Sequence, residues 1–143
     1  MFGLYEHKFD MYSAEYIRAA VDEAGGAMIL AHPYRWRLHH HIDMEKMLDI
    51  ACNESVCSLV DAIEVLNGRS QDRENDFAAR LCQRLGLKGV GGSDAHSISD
   101  VSSCATMFEG YIRNTSDLIA ELKAGRFQAV DLRRLWPGRV KRL

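Results

Sequence analysis

The 143-residue sequence is 47% hydrophobic and 27% charged, which suits one globular domain with a sizeable core. Its formal net charge of −2 gives no overall attraction to nucleic acid or to an acidic membrane surface. No segment approaches the ~18 consecutive apolar residues of a membrane span, and no basic stretch followed by a long apolar run opens the chain. The expectation is therefore a cytoplasmic protein with no membrane partner.

In chain order, Phe2 to Tyr5 reads as the end of a strand. Ser13 caps a helix in which Ile17, Ala20, Val21 and Ala24 recur at helical spacing until Gly25-Gly26 stops it. Ala27 to Ala31 is a continuous apolar run, as in a strand buried on both faces, and it delivers His32-Pro33 to its C-terminal end. Tyr34 to His41 is aromatic, basic and histidine-rich without a clean period, and reads as a loop. Asp43 caps a helix carrying Met44, Met47, Leu48 and Ala51, and a second helical piece runs through Val56 to Val60. Ala62 to Leu66 is the next strand, ending in the turn signal Asn67-Gly68. Phe77, Ala78, Leu81, Cys82 and Leu85 mark an amphipathic helix after Ser70, stopped by Gly86. Leu87 to Val90 forms a short strand ending at Gly91-Gly92, and Cys104 to Phe108 forms another. Thr115 or Ser116 caps a helix with Leu118, Ile119 and Leu122, and Gly125 ends it before a strand from Phe127 to Leu132. This alternation predicts an α/β fold with a mainly parallel sheet. Residues 1–132 form one domain, and 133–143 form a basic tail with Arg133, Arg134, Arg139, Lys141 and Arg142, either solvated or engaging a phosphate or partner.

The residues with chemical potential stand where strands end. Asp94 and His96, two apart after a glycine pair that permits unusual backbone and close approach, point the same way if the chain is extended. The bland alternative has Asp94 capping a turn near Ser97 and His96 as an ordinary loop residue. His32 ends a buried strand, where it is either a satisfied structural residue or a ligand, and Pro33 holds it out of helical conformation. A carboxylate with neutral imidazoles suits zinc, manganese or iron better than calcium. Glu64 is the one charge in its strand, so it is a ligand, a general base, a carboxylate orienting a histidine, or the partner of a nearby arginine. Arg35 offers a guanidinium fork to phosphate, or else makes a surface ion pair. The triplet His39-His40-His41 contains H-x-H at its outer positions but lacks strand flanks, which weighs against a metal site. Cys52, Cys57, Cys82 and Cys104 show no C-x-x-C spacing and read as reduced. No G-x-S-x-G, P-loop or G-x-G-x-x-G occurs, which leaves metal-assisted hydrolysis.

Gly25 to Arg35, Asp61 to Gly68 and Gly91 to His96 together resemble, in order and spacing, the later motifs of the PHP (polymerase and histidinol phosphatase) superfamily. The resemblance runs from about Phe2 to Val130. It implies a distorted (β/α)7 barrel that hydrolyses phosphoesters with a cluster of divalent metal ions. It further implies that His32, Asp94 and His96 bind metal, that Glu64 supports the site with Asp94 and His96 in catalysis, and that Arg35 faces substrate phosphate. That family opens with a strand bearing H-x-H and further ligands, which this sequence lacks, and His7 does not replace them. The expectation is thus a C-terminal portion, roughly half of the barrel. Its family activity is phosphoester hydrolysis by metal-activated water on a small phosphorylated or nucleotide-like substrate, weak or absent in this chain alone and with metal incompletely bound. The alternatives are a non-catalytic module that associates with its own copy or with a complementary N-terminal fragment, and a metal hydrolase acting on amides.

Overall fold

The computed structural model describes residues 12–35, 37, 38 and 43–135; Phe2 to Tyr5, His7, the His39 to His41 triplet and the end of the basic tail lie outside them. Helix α1, Ala14–Glu23, starts at Ser13, whose hydroxyl accepts from the Tyr16 N–H at 3.2 Å. It leads into β1, Ile29–Leu30. Helix α2, Met44–Cys52, is capped by Asp43, which accepts from the N–H groups of Glu45 and Lys46. A single 3-10 turn, Ser55–Ser58, replaces the second helical piece expected over Val56 to Val60.

Strand β2, Ala62–Asn67, leads into α3, Asp72–Arg84, whose start is closed reciprocally by Gln71 and Glu74. Gly86 follows that helix at φ +67°, a left-handed position that costs glycine little. Next come β3, Lys88–Gly92, a 3-10 turn at Ile98–Asp100 and β4, Cys104–Phe108. Helix α4, Thr115–Ala124, is capped by Asn114 rather than by Thr115 or Ser116, because the Asn114 side chain accepts from the Asp117 N–H at 2.9 Å. Strand β5, Phe127–Asp131, gives way to the short helix α5, Leu132–Leu135, so Leu132 is helical and not the last residue of a strand.

The strands form a parallel sheet in the order β1-β2-β3 and a separate antiparallel pair, β4 with β5. The fold is mixed α/β, and among the described residues the parallel pairing covers three strands. β1 is shorter than the apolar run suggested: regular pairing covers Ile29 and Leu30, opposite Ala62 and Ile63, with an isolated bridge at Ala27. Asp61 anchors this end by accepting from the Met28 N–H at 2.7 Å and from Arg18 of α1 at 2.9 Å. The sheets meet through a side chain. The Thr106 hydroxyl of β4 accepts from the Gly91 N–H at 3.0 Å and donates to the Gly91 carbonyl at 2.9 Å.

Two apolar clusters follow from this layout. The larger packs Val21, Leu48, Ile63, Phe77 and Leu81, all at 0% exposure, between the parallel sheet and α1 to α3. The smaller joins Ala27, Ala62 and Val90 to Leu122 of α4 and Phe127 of β5. No helix among the described residues is long and apolar enough to cross a membrane.

Candidate functional site

Parallel strands bring their C-terminal ends, and the loops that follow, to one edge of a sheet. The edge of β1-β2-β3 therefore gathers His32 and Arg35 after β1, Asn67 at the end of β2, and Asp94 and His96 after β3, with Glu64 reaching toward it from within β2. The backbone there is unusual. His32 lies at φ +30°, Tyr34 at +61° and Asp94 at +49°, in or near the left-handed region that non-glycine residues occupy at a cost when surrounding contacts fix them. Gly91 and Gly92, expected to supply such angles, are ordinary strand residues instead. Their lack of a Cβ serves close approach: at Gly91 a Cβ would fall on the Ala105 carbonyl, and at Gly92 on the Glu64 carboxylate.

Glu64 ties the strand ends together. Its Oε2 accepts from the His32 N–H at 2.8 Å and from Asn67 Nδ2 at 3.1 Å, so it engages a backbone amide and an amide side chain where an arginine was one expectation. The register of β2 against β3 shifts between Glu64 and Leu66, an irregularity of the kind that re-aims a side chain at a strand end.

Arg35 instead meets Asp94. Its Nη1 stands 2.5 Å from Asp94 Oδ2, with the two side chains only 13% and 20% exposed, so the pair spans the ends of β1 and β3. Burial pushes the Asp94 carboxyl pKa up, but hydrogen bonds from Arg35 and Asn67 and the charges of Arg35 and His96 outweigh it, leaving the pKa below the ordinary aspartate value. Asp94 is not the cap of the following turn. That role belongs to Ser97, closed reciprocally with Asp100, whose Oδ2 accepts from the N–H groups of His96 and Ser97 at 3.1 Å each and is approached by Arg69 at 3.5 Å.

The His96 ring is 65% exposed. Its Nδ1 lies 2.8 Å from the Asp94 carbonyl and 3.9 Å from Asp94 Oδ1. The carbonyl can only accept, so Nδ1–H donates to it, and in the neutral ring that leaves Nε2 as the unprotonated nitrogen. His32 is exposed at its strand end and is held there through its backbone. Beside it a cavity of ≈ 380 Å³ is lined by His32, Arg35, Arg37 and Glu54 with apolar walls from Leu30 and Val56. A larger groove of ≈ 640 Å³, between α3 and β5, touches none of the residues singled out above as site candidates.

A catalytic zinc takes three protein ligands and a water. Among the described residues, no group of three or more His, Cys, Asp or Glu side chains comes together to hold a metal ion. Asp94 and His96 offer donors of the right chemistry, but with Asp94 turned to Arg35 the described residues do not make a self-contained metal centre. Thiol chemistry has little support: the cysteines are free, and burial pushes the Cys57, Cys82 and Cys104 thiols up, away from the nucleophilic thiolate.

Sequence reasoning passed over Asn67, read only as half of a turn signal. At 1% exposure its Oδ1 accepts from the N–H groups of Arg69 and Ser70 while its Nδ2 reaches Glu64, and its backbone exchanges bonds with the Asn75 side chain. A polar residue closing an apolar strand was the available signal.

Comparison with known proteins bears on the fold and on the later part of the chain. The model of the PHP-associated family (PHP_C) matches residues 72–127, from the start of α3 to the first residue of β5, and marks this stretch as a PHP-associated C-terminal region. The crystal structure of PsfC from Pseudomonas syringae PB-5123 is similar in fold, with a TM-score of 0.60 at 23% sequence identity over 88% of this chain. The chain spans 48% of the length of that structure. No curated protein matches.

Proposed function

We propose that this chain forms one side of a PHP-type metal-dependent phosphoesterase, a partial distorted (β/α)7 barrel in which Asp94, His96 and His32 are metal-facing residues and Glu64 holds their strand ends in register. The observation that carries the reading is the convergence of Arg35, Glu64, Asp94 and His96 on one edge of a parallel sheet, within a chain whose 72–127 stretch is PHP-associated. The remaining metal ligands come from outside the described residues, in a complementary N-terminal portion of the barrel. The substrate is a small phosphorylated compound or a nucleotide-like phosphoester, the ions are zinc, manganese or iron, and the location is the cytoplasm, which suits four free cysteines.

The chain's own residues account for positioning. Glu64 fixes the His32 backbone, Asn67 fixes Glu64, and the fork of Arg35 has the shape to receive a phosphate once it leaves Asp94. A second reading is favoured by the Arg35–Asp94 pair itself: a non-catalytic module of the same fold, in which an arginine and a carboxylate satisfy each other.

An assay of p-nitrophenyl phosphate hydrolysis with added Mn²⁺ or Zn²⁺ separates the two. The phosphoesterase reading expects slow, metal-dependent turnover that falls more than about 10-fold in Asp94→Ala, since even residues supporting a metal ligand are worth that much. Robust turnover indifferent to that substitution overturns it, and no metal-dependent turnover in either protein favours the module.

A further inference from the structure

We infer that Asn67 is the positioning residue of this edge: its carboxamide bridges Glu64 and Asp94 and so sets how the ends of β1, β2 and β3 stand relative to one another. The inference rests on the reading of that edge as the reactive one, and it names the residue that holds it in shape.

The atoms of the side chain leave one arrangement. Backbone N–H groups only donate, so the two that reach Asn67, from Arg69 at 2.9 Å and from Ser70 at 3.0 Å, fix Oδ1 toward the turn. Nδ2 then faces the other way with two hydrogens to give. One goes to Glu64 Oε2 at 3.1 Å, and the Asp94 carboxylate accepts a hydrogen bond from the same side chain. Glu64 Oε2 also accepts from the His32 N–H at 2.8 Å, and Asp94 is paired with Arg35. One carboxamide thereby connects the residues that follow β1, the strand β2 and the loop after β3, and both its donors and both its acceptor positions are used.

The bridge has a fixed base. Asn67 is 1% exposed; its N–H donates to Asn75 Oδ1 at 3.0 Å, and its carbonyl accepts from Asn75 Nδ2 at 3.3 Å. Asn75 is itself buried on α3, the helix that carries Phe77 and Leu81 into the larger core, so displacing Asn67 disturbs close-packed side chains. The residue type is specific as well. Two carboxylates turned toward one point repel each other where little water screens them, and a neutral group that donates to both holds them without adding charge. An aspartate at position 67 keeps the oxygen that the turn needs, loses both donors, and sets a third carboxylate beside Glu64 and Asp94.

The test is hydrogen exchange of single amides in the full chain, followed by NMR. In the unaltered protein both hydrogens of the Asn67 carboxamide should exchange about 10-fold or more slower than those of an exposed asparagine, and exchange of either at the exposed rate overturns the bridge. In Asn67→Asp the His32 amide should exchange about 10-fold or more faster, while the Arg69 and Ser70 amides keep their protection. A role confined to the turn expects none of the three to change; that result, or equal loss at all three, overturns the inference. Should Asn67→Asp not fold, the carboxamide of the unaltered chain decides. Hydrolysis of p-nitrophenyl phosphate with added Mn²⁺ is read in parallel. A kcat about 10-fold or more lower in Asn67→Asp at unchanged KM supports the positioning role, and an unchanged kcat overturns it. No turnover in the unaltered chain counts against the phosphoesterase reading, and the amides alone then decide whether Asn67 positions the edge.

Discussion

The parallel unit β1-β2-β3 and the antiparallel ribbon β4–β5 are built from similar strands yet differ in what they offer chemistry. In the parallel unit every strand ends on the same side, so residues far apart in sequence, Arg35, Glu64 and Asp94, arrive at one edge. In the ribbon the ends alternate, and no such gathering occurs among the described residues. The parallel unit also holds the more completely buried core. Its helices leave Tyr16 and Ile50 exposed but bury Phe77, Leu48, Ile63 and Leu81 completely, whereas α4 buries Leu122 beside exposed Met107, Tyr111 and Ile112. The contrast teaches that a firm core under one set of parallel strands holds strained, charged residues at the rim, while the ribbon packs beside β3 as a separate sheet.

The largest effect that would test this contrast lies in the core. Phe77→Ala, at a fully buried site against Tyr34, should cost about 3–5 kcal/mol in chemical denaturation, and Leu122→Ala only about 2 kcal/mol, the low end for such truncations. Equal or reversed costs would break the comparison.

Gly68→Ala sharpens it at the junction. A Cβ at Gly68 would fall on the Ser103 hydroxyl and lie 2.6 Å from the Ser93 carbonyl, so the loops after β2 and β3 must separate. A loss of about 1–3 kcal/mol is expected. Shifts in the NMR spectrum should reach Asn67 and Asp94 but leave α4 unchanged.

The smallest effect belongs to the ribbon side. Arg126 hydrogen-bonds Glu121, and that bond holds the Glu121 carboxyl below its usual pKa. A lowered folded pKa stabilises above the unfolded value and is lost as pH falls through the folded one. The stability difference between the unaltered chain and Arg126→Gln should therefore be present at pH 7 and shrink on acidification through the carboxylate range. A difference that grows on acidification would contradict the pairing.

Much of this was legible in the sequence because local rules wrote it. Ser13 and Asp43 cap helices as their chemistry demands, Gly86 and Gly125 take left-handed positions after α3 and α4, and the apolar runs at Ala62 and Cys104 are strands. The placement of His32, Asp94 and His96 just after strands was legible as well, and so was Glu64 as the one charge inside its strand. What escaped is set by contacts across the chain. The antiparallel direction of β5 against β4 depends on how α4 crosses between them, and the shortness of β1 depends on Asp61 drawing Met28 into a side-chain bond. The partner of Arg35, 59 positions away, carries no local signal, and neither does the path that puts positive φ on Asp94 and spares Gly91 and Gly92.

One further consequence follows from the way Thr106 bonds both polar groups of Gly91. Inside each sheet the amides close on carbonyls fixed in neighbouring backbones, but at this seam the Gly91 amide closes on a hydroxyl that leaves by a single side-chain rotation. In native-state hydrogen exchange the Gly91 amide should therefore open at lower free energy than those deep in β2, marking a boundary between two cooperative folding units. A chain assembled this way can loosen its ribbon while the strand ends that carry Arg35 and Asp94 stay in place.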